Sequence, residues 1–288
     1  MKNNFYINYK KEINFFINNA IKEDLNAIDH SSKASLSKND KGKAVLIVKE
    51  NCVIAGLELA EIIYKKYDSK INFRYLVNDG DKINAGTKGF IVEGNSLSIL
   101  AMERLVLNCI QRMSGIASLT SRYKKIISKT SCKLLDTRKT TPNFRYPEKW
   151  AVLIGGGNNH RMGLYDALMI KDNHIDFGGG VNLVLDKTKR YLSGLGKEYD
   201  LIVETRNLKE VKDVLNYNIV TRILLDNMDI NEIKKALSLI DNKKPTEASG
   251  NIDKSNILAI AKTGVNFISL GCLTHSAKPI DISLKVSK

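Results

Sequence analysis

The sequence predicts an α/β protein whose two halves follow different patterns. Up to about residue 110 the pieces are mixed and suggest an antiparallel sheet with helices around it. From about residue 130, six short apolar runs alternate with helix-like segments at a spacing of roughly 20–30 residues, the rhythm of βα units on a parallel sheet. Each of those runs ends in a charged, hydroxyl or glycine residue. That places polar groups where a (β/α) barrel builds its sites; a doubly wound open sheet also binds ligands at carboxyl strand ends and stays open as an alternative.

Taken in order, Ile13, Phe16, Ile17, Ala20 and Ile21 recur at helical spacing and predict a helix over about 10–25. A polar stretch, "NAIDHSSKASLSKNDKG", follows. Strands are expected at "KAVLIVKE" and "CVIAG", a helix at "GLELAEIIYKKY", and strands at "NFRYLVN" and "KGFIVEG" around the turn residues of "NDGDKINAG". A long helix begins near Ser96. Met102, Val106, Cys109, Met113 and Ile116 form one stripe on it, while Leu100, Leu105 and Leu107 fall elsewhere, so it is expected to pack on more than one partner. The parallel-sheet runs are then "CKLLDT", "ALMIK", "DLIVET", "RILLDN", "TEASG" and "FISLG". Ala167–Ile170 reads as a strand buried on both faces, with Lys171 at its end. Gly178 to Gly180 reads as the entry loop of the helix "VNLVLDKTKRYL".

The composition is that of a globular chain: 43% hydrophobic, 26% charged, and a formal net charge of +14 from 45 basic and 31 acidic residues. No apolar run approaches membrane-spanning length, and the N-terminal stretch lacks a signal-peptide layout. The four cysteines form no CxxC pair, which argues against a zinc site or disulfide framework and for a reducing cytoplasm. The lysines are scattered without a basic tract or aromatic interleaving, so anionic small molecules are expected as partners rather than nucleic acid or membrane.

Sorted by charge, the strand ends give a cationic set (Arg138, Lys139, His160, Arg161, Lys171), an acidic pair (Glu204, Asp226), and small residues at Ser249-Gly250 and Gly271-Cys272. Arginines beside lysines suit a multiply charged anion. Glycine turns late in a barrel suit a phosphate. Two carboxylates could bind Mg²⁺ or stabilise a developing cation on a sugar carbon. Plainer readings exist for single residues: Asp226 as a helix N-cap, and His174 and His275 as structural histidines.

The segments "DTRKTTPNFR", "GGGNNHRMGLYDALMIKDNH", "LLDNM", "EASGNI" and "SLGCLTHS" resemble the quinolinate phosphoribosyltransferases. "MERLVLNCIQRMSGIAS" is similar to that family's connecting helix and "IKEDLNAIDHSS" to its N-terminal signature. The resemblance spans residues 20 to 285, nearly the whole chain. It implies an N-terminal α/β sandwich domain over 1–112, with the 276–288 tail returning to it, and an incomplete TIM-like α/β barrel over 113–275. The implied reaction joins quinolinate to 5-phosphoribosyl-1-pyrophosphate with Mg²⁺, giving nicotinate mononucleotide, CO₂ and pyrophosphate for NAD synthesis. Arg138, Lys139, His160, Arg161 and Lys171 would hold quinolinate's carboxylates. Glu204 and Asp226 would face ribose and metal, and Lys139, Lys171, Glu204 and Asp226 would be catalytic. Ser249, Gly250, Gly271 and His275 would line the 5-phosphate end. Arg104 would reach into the neighbouring subunit of a homodimer or a hexamer of dimers.

Three departures stand out. Ile202-Val203-Glu204 replaces the usual Glu-Val-Glu, Ser249-Gly250-Asn251 replaces Ser-Gly-Gly, and Ile28 replaces a glycine. Asn251 must therefore adopt backbone angles that glycine would take. Two other readings share the fold class: a molybdenum-locus relative, and an aldolase-like barrel with Lys171 as Schiff-base nucleophile.

Overall fold

The computed structural model describes residues 4–287. Residues 1–3 and 288, the outermost positions of the expected N-terminal domain and its returning tail, lie outside the described residues. Two compact units emerge. The first comprises the described residues up to Ser121, Lys139–Gly156 and those from Cys272 onward; the second comprises Arg122–Arg138 and Gly157–Gly271.

The chain opens with α1 (Phe5–Asn8), α2 (Lys10–Leu25) and α3 (His30–Ser35), followed by β1 (Lys41–Val48), β2 (Cys52–Val53), α4 (Leu57–Tyr67), β3 (Asn72–Tyr75), β4 (Lys82–Ile83), β5 (Lys88–Asn95) and α5 (Ser96–Ile126). Then come β6 (Lys133–Leu135), α6 (Arg145–Ile154), β7 (Leu168–Ile170), α7 (Asp172–Gly178), α8 (Val181–Ser193), β8 (Leu201–Thr205), α9 (Leu208–Leu215), β9 (Arg222–Asp226), α10 (Ile230–Ile240), β10 (Thr246–Ser249), α11 (Ile257–Ala261), β11 (Phe267–Ser269), α12 (Cys272–His275) and β12 (Ile282–Val286).

In the first unit, β12, β1, β5 and β3 form one antiparallel sheet in that order. β12 pairs along β1 from Ala44↔Val286 to Val48↔Ile282. The polar stretch after α2 contains a short helix, α3, because Asp29 accepts the Ser32 N–H at 3.0 Å and supplies the N-cap. Phe73, Phe90 and Tyr64 cluster against one another at ring-centroid distances of 4.4–6.4 Å. The five-residue stripe of α5 is buried throughout, whereas Leu100 on another face is 40% exposed. α5 also binds backbone: the Ser114 and Ser118 hydroxyls accept the N–H groups of Ala55 and Val53 at 3.0 and 2.9 Å. Buried hydroxyls satisfied this way pin the β2 segment to the helix.

The helix α6 went unrecognised in the sequence because its pattern, "RYPEKWAVLI", is broken by two buried charges, Glu148 and Lys149. Glu148 is the centre of a buried cluster. It accepts from Arg112 Nε and Nη2 at 3.0 and 2.9 Å and from the Thr141 N–H and hydroxyl at 3.0 and 2.9 Å.

The second unit holds six parallel strands in the order β6-β11-β10-β9-β8-β7. From β7 to β11 the order follows the chain without reversal, and β6 lies beside the last strand of the series. A doubly wound sheet would reverse at a switch point. This is the order of a singly wound (β/α) barrel opened between β6 and β7. The opening corrects one expectation: β7 is not buried on both faces. Leu168, Met169 and Ile170 are all only part-buried, since β7 pairs with β8 alone and forms an edge. An apolar run cannot reveal whether a neighbour strand follows it.

Candidate active site

The strand ends of the second unit collect the expected side chains. Lys171 follows β7, Glu204 lies on β8, Asp226 ends β9 and Ser249 ends β10. Asp226 is in register with Ser249, and Glu204 with Leu224. Glu204 is 9% exposed. Burial and the Asp226 carboxylate push its carboxyl above the usual range, against the pull of Lys171 and the Asp172 N–H. Glu204, Asp226 and Lys171 thus form one interacting group.

Arg138 and Arg161 form a second. Burial and the neighbouring Arg138 charge lower the affinity of Arg161 for its proton, with Asp166 opposing. The loop that delivers Arg161 is built locally. Asp136, fully buried after β6, accepts from Asn159 Nδ2 at 2.6 Å and from the His160 N–H at 2.8 Å. Asp166 accepts the Met162 and Gly163 N–H groups at 2.6 and 2.8 Å, closing the turn beyond. Arg161 Nη1 donates to the Ala167 carbonyl at 3.0 Å, which fixes the guanidinium against the entry to β7.

The Ser249 turn shows why glycine is required there. Gly250 has φ +91°, and a Cβ would lie 2.5 Å from Asn227 Cγ and 2.9 Å from its nitrogen. Asn227 itself donates its N–H to the Ser249 carbonyl at 2.8 Å. Asn251 takes φ +49°, the left-handed conformation expected of it, and its Nδ2 donates to Asn227 Oδ1 at 3.0 Å. Asparagine tolerates this region better than most side chains.

The plainer readings separate. Asp226 is not an N-cap, because Asp229 caps α10 through the Asn231 and Glu232 N–H groups. His174 is structural: its Nδ1 accepts the Lys171 N–H at 2.9 Å at the start of α7. Gly179 and Gly180, at φ +86° and +115°, link α7 to α8 as a helix-entry loop.

Three expected site residues belong to the first unit. Arg104 is exposed on α5. Lys139 is exposed, and its carbonyl accepts from the buried Thr274 hydroxyl at 2.8 Å, tying the Lys139 segment to α12. His275, at the end of α12, has its Nδ1 2.6 Å from the Ser276 hydroxyl. Gly271 closes the second unit just before α12.

Sequence reasoning missed Glu247. It is fully buried on β10, with Oε2 3.3 Å from His160 Nε2 and 2.9 Å from Arg222 Nη1. Burial would raise its proton affinity, but the His160 ring and the Arg222 guanidinium beside it hold its carboxyl below the usual range. Glu204 and Glu247 flank Leu224 on neighbouring strands, yet their environments push them in opposite directions. Its one sequence signal was a glutamate inside a strand too short to expose it.

Guanidinium and ammonium groups, an acid pair with Glu204 buried, and a glycine turn, all at the strand ends of a singly wound sheet, define a barrel-type enzyme of anionic, phosphorylated substrates. Comparison with known proteins makes the class specific. Residues 29–114 match the N-terminal domain, and 116–285 the C-terminal domain, of quinolinate phosphoribosyl transferase. The chain belongs to the quinolinate phosphoribosyltransferase family. It is 44% identical over 282 residues to quinolinate phosphoribosyltransferase [decarboxylating] 2b, mitochondrial, from Nicotiana tabacum, covering 93% of this chain and 80% of that protein. It is 38% identical to the probable nicotinate-nucleotide pyrophosphorylase [carboxylating] of a Synechocystis strain, covering 92% and 89%. The crystal structure of NadC from Streptococcus pyogenes superposes with a TM-score of 0.89 at 35% identity, covering 96% of each chain.

Proposed function

We propose that the chain transfers the phosphoribosyl group of 5-phosphoribosyl-1-pyrophosphate to quinolinate with decarboxylation, as a nicotinate-nucleotide pyrophosphorylase (carboxylating) of NAD synthesis. The observation that carries this reading is the row of strand ends that the parallel sheet brings side by side, with Lys171 after β7, Glu204 on β8, Asp226 at the end of β9 and Ser249 in register with it at the end of β10. The cationic group, with Lys139 and His160, suits an aromatic diacid. A substrate with a single carboxylate would leave part of this clustered positive charge uncompensated, so quinolinate is preferred over nicotinate. Departure of pyrophosphate leaves positive charge on the ribose ring. Glu204 and Asp226 stabilise it electrostatically, without reorganising, because they are held on neighbouring strands. Ser249, Gly250, Gly271 and His275 serve the 5-phosphate end.

Two carboxylates on neighbouring strands, Glu204 with its proton affinity raised by burial and by Asp226, also fit Mg²⁺, which takes one or two protein carboxylates and completes its shell with phosphates and water. Glu204 and Asp226 would hold it, and the ion would neutralise charge developing on the departing pyrophosphate. The exposed Arg104 supports a role across the interface of a homodimer or a hexamer of dimers. Among the described residues no helix is long and apolar enough to cross a membrane. The four cysteines are free, which supports a reducing compartment such as the cytoplasm, although plant relatives are named as mitochondrial or chloroplastic. The Schiff-base reading is disfavoured because Lys171 is exposed, whereas such a lysine is activated by desolvation.

Purified protein given quinolinate, phosphoribosyl pyrophosphate and Mg²⁺ is expected to form nicotinate mononucleotide. No product, or equal turnover of nicotinate, would overturn the proposal.

A further inference from the structure

His275 ends α12, a helix of four residues, and a helix so short has almost no hydrogen-bond ladder of its own to hold it in place. Its backbone is held from α5 instead. There Arg112 engages all three of its guanidinium nitrogens. Nη2 donates to the Thr274 carbonyl and Nη1 to the Ala277 carbonyl at 2.7 Å, so the two accepting carbonyls stand on either side of His275 in the chain. Nε and Nη2 also donate to Glu148 Oε1 at 3.0 and 2.9 Å, and that fully buried carboxylate keeps the guanidinium from turning away. The turn has no slack against the helix. A Cβ added to Gly115, one turn beyond Arg112, would collide with the Lys278 carbonyl oxygen, and the Ile280 N–H donates to the Gln111 carbonyl at 3.0 Å. The imidazole travels with this backbone, because its Nδ1 lies 2.6 Å from the hydroxyl of Ser276, the next residue. Nε2 is the ring nitrogen left for a ligand.

We propose that Arg112 is a positioning residue for phosphoribosyl pyrophosphate: it grips the backbone before and after His275 and so holds that imidazole ready for the 5-phosphate. This rests on the function proposed above, in which His275 serves the 5-phosphate end. Arginine is needed because its planar fork carries donors on three nitrogens, whereas the single nitrogen of a lysine cannot span both carbonyls and Glu148. A second tie on the same turn is separate from this grip. The Thr274 hydroxyl donates to the Lys139 carbonyl at 2.8 Å, a bond in which Arg112 takes no part. The two ties can therefore be cut independently.

The test uses the full chain. Arg112→Lys keeps a cation beside Glu148 but loses the two-carbonyl grip. Its KM for phosphoribosyl pyrophosphate should rise more than about tenfold, the scale of one charge-assisted hydrogen bond, while quinolinate affinity by calorimetry stays within about twofold. Thr274→Val removes the bond to Lys139, leaves both gripped carbonyls in place, and should keep that KM within about threefold of the parent. In a His275→Ala background, Arg112→Lys should add less than about twofold, because residues that act through one another are not additive. Equal rises in Thr274→Val and Arg112→Lys, or losses that multiply in full in the His275→Ala background, would mean a general loosening and would overturn the proposal. If Arg112→Lys does not fold, Arg112→Gln combined with Glu148→Gln, which leaves neither charge of the pair unbalanced, takes its place with the same expectations. Proton NMR of the histidine rings reads the placement without substrate. The His275 signal, identified by its loss in His275→Ala, should shift in Arg112→Lys while those of His30, His160 and His174 hold. An unmoved His275 signal would overturn the proposal as well. If the unmodified protein forms no product from phosphoribosyl pyrophosphate, the functional reading fails by itself, and the NMR result still decides whether Arg112 places His275.

Discussion

Replacing Gly250 with alanine tests the phosphate-end turn most directly. The backbone there has φ +91°, and the new methyl would stand 2.5 Å from Asn227 Cγ, 2.9 Å from its nitrogen and closer still to its Oδ1. A β-carbon in left-handed backbone costs about 1–2 kcal/mol. The clash cannot be relieved by swinging the Asn227 side chain without losing the bond it accepts from Asn251 Nδ2, which contributes about 1 kcal/mol more. The sum is about 2–3 kcal/mol, a fall in melting temperature of roughly 4–10 °C for a chain of this size. The same displacement moves the Ser249 turn, so the KM for phosphoribosyl pyrophosphate should rise while quinolinate binding, served by other strands, changes little. Differential scanning calorimetry and steady-state kinetics supply both numbers. A variant that melts within a degree of the parent, with unchanged KM, would refute the reasoning about the turn.

Glu204→Gln should lower kcat far more than quinolinate affinity, and it should stabilise the fold. A carboxyl whose folded proton affinity is raised contributes stability only while protonated, and loses it as pH rises through the folded value. The stabilisation by glutamine should therefore be small at pH 4 and grow towards neutral pH in melting experiments; a gain that shrinks with pH would contradict the burial argument. Glu148→Ala removes one partner of a buried ion pair and leaves Arg112 uncompensated, at a cost of about 3–5 kcal/mol; urea unfolding showing under 1 kcal/mol would argue against it. For Arg104, inactive Arg104→Ala and Lys171→Ala homodimers refolded together should regain roughly one active site in four if the arginine acts across a two-fold interface. No recovery on mixing would place it in its own subunit's site.

The strand ends were legible because chemistry and periodicity coincide there. Lys171, Glu204, Asp226 and Ser249 each follow an apolar run, and the chain-order sheet brings those ends side by side. Asn251 was legible for a different reason, since only a few residue types accept φ +49°. What stayed hidden depends on contacts between distant segments. The part-buried β7 is an edge only because no strand follows it in the sheet. Glu247 and Glu148 look like surface glutamates until His160 and Arg222, or Arg112 and Thr141, arrive from elsewhere. α6 was missed for the same reason, its helical period interrupted by Glu148 and Lys149, both of them buried.

The pairing of β12 with β1 has a consequence for biosynthesis. β1 leaves the ribosome before any strand of the parallel sheet, and the strand that borders it, β12, leaves after all of them. The six parallel strands of the second unit are complete at Ser269. During translation, β1 must therefore wait with one hydrogen-bonding edge unfilled while all of the parallel sheet is made. An exposed edge is a template for pairing with other chains. The lysines at both ends of this stretch, Lys41, Lys43 and Lys49, place like charge along the waiting edge and discourage nascent neighbours from occupying it before Ile282–Val286 arrives.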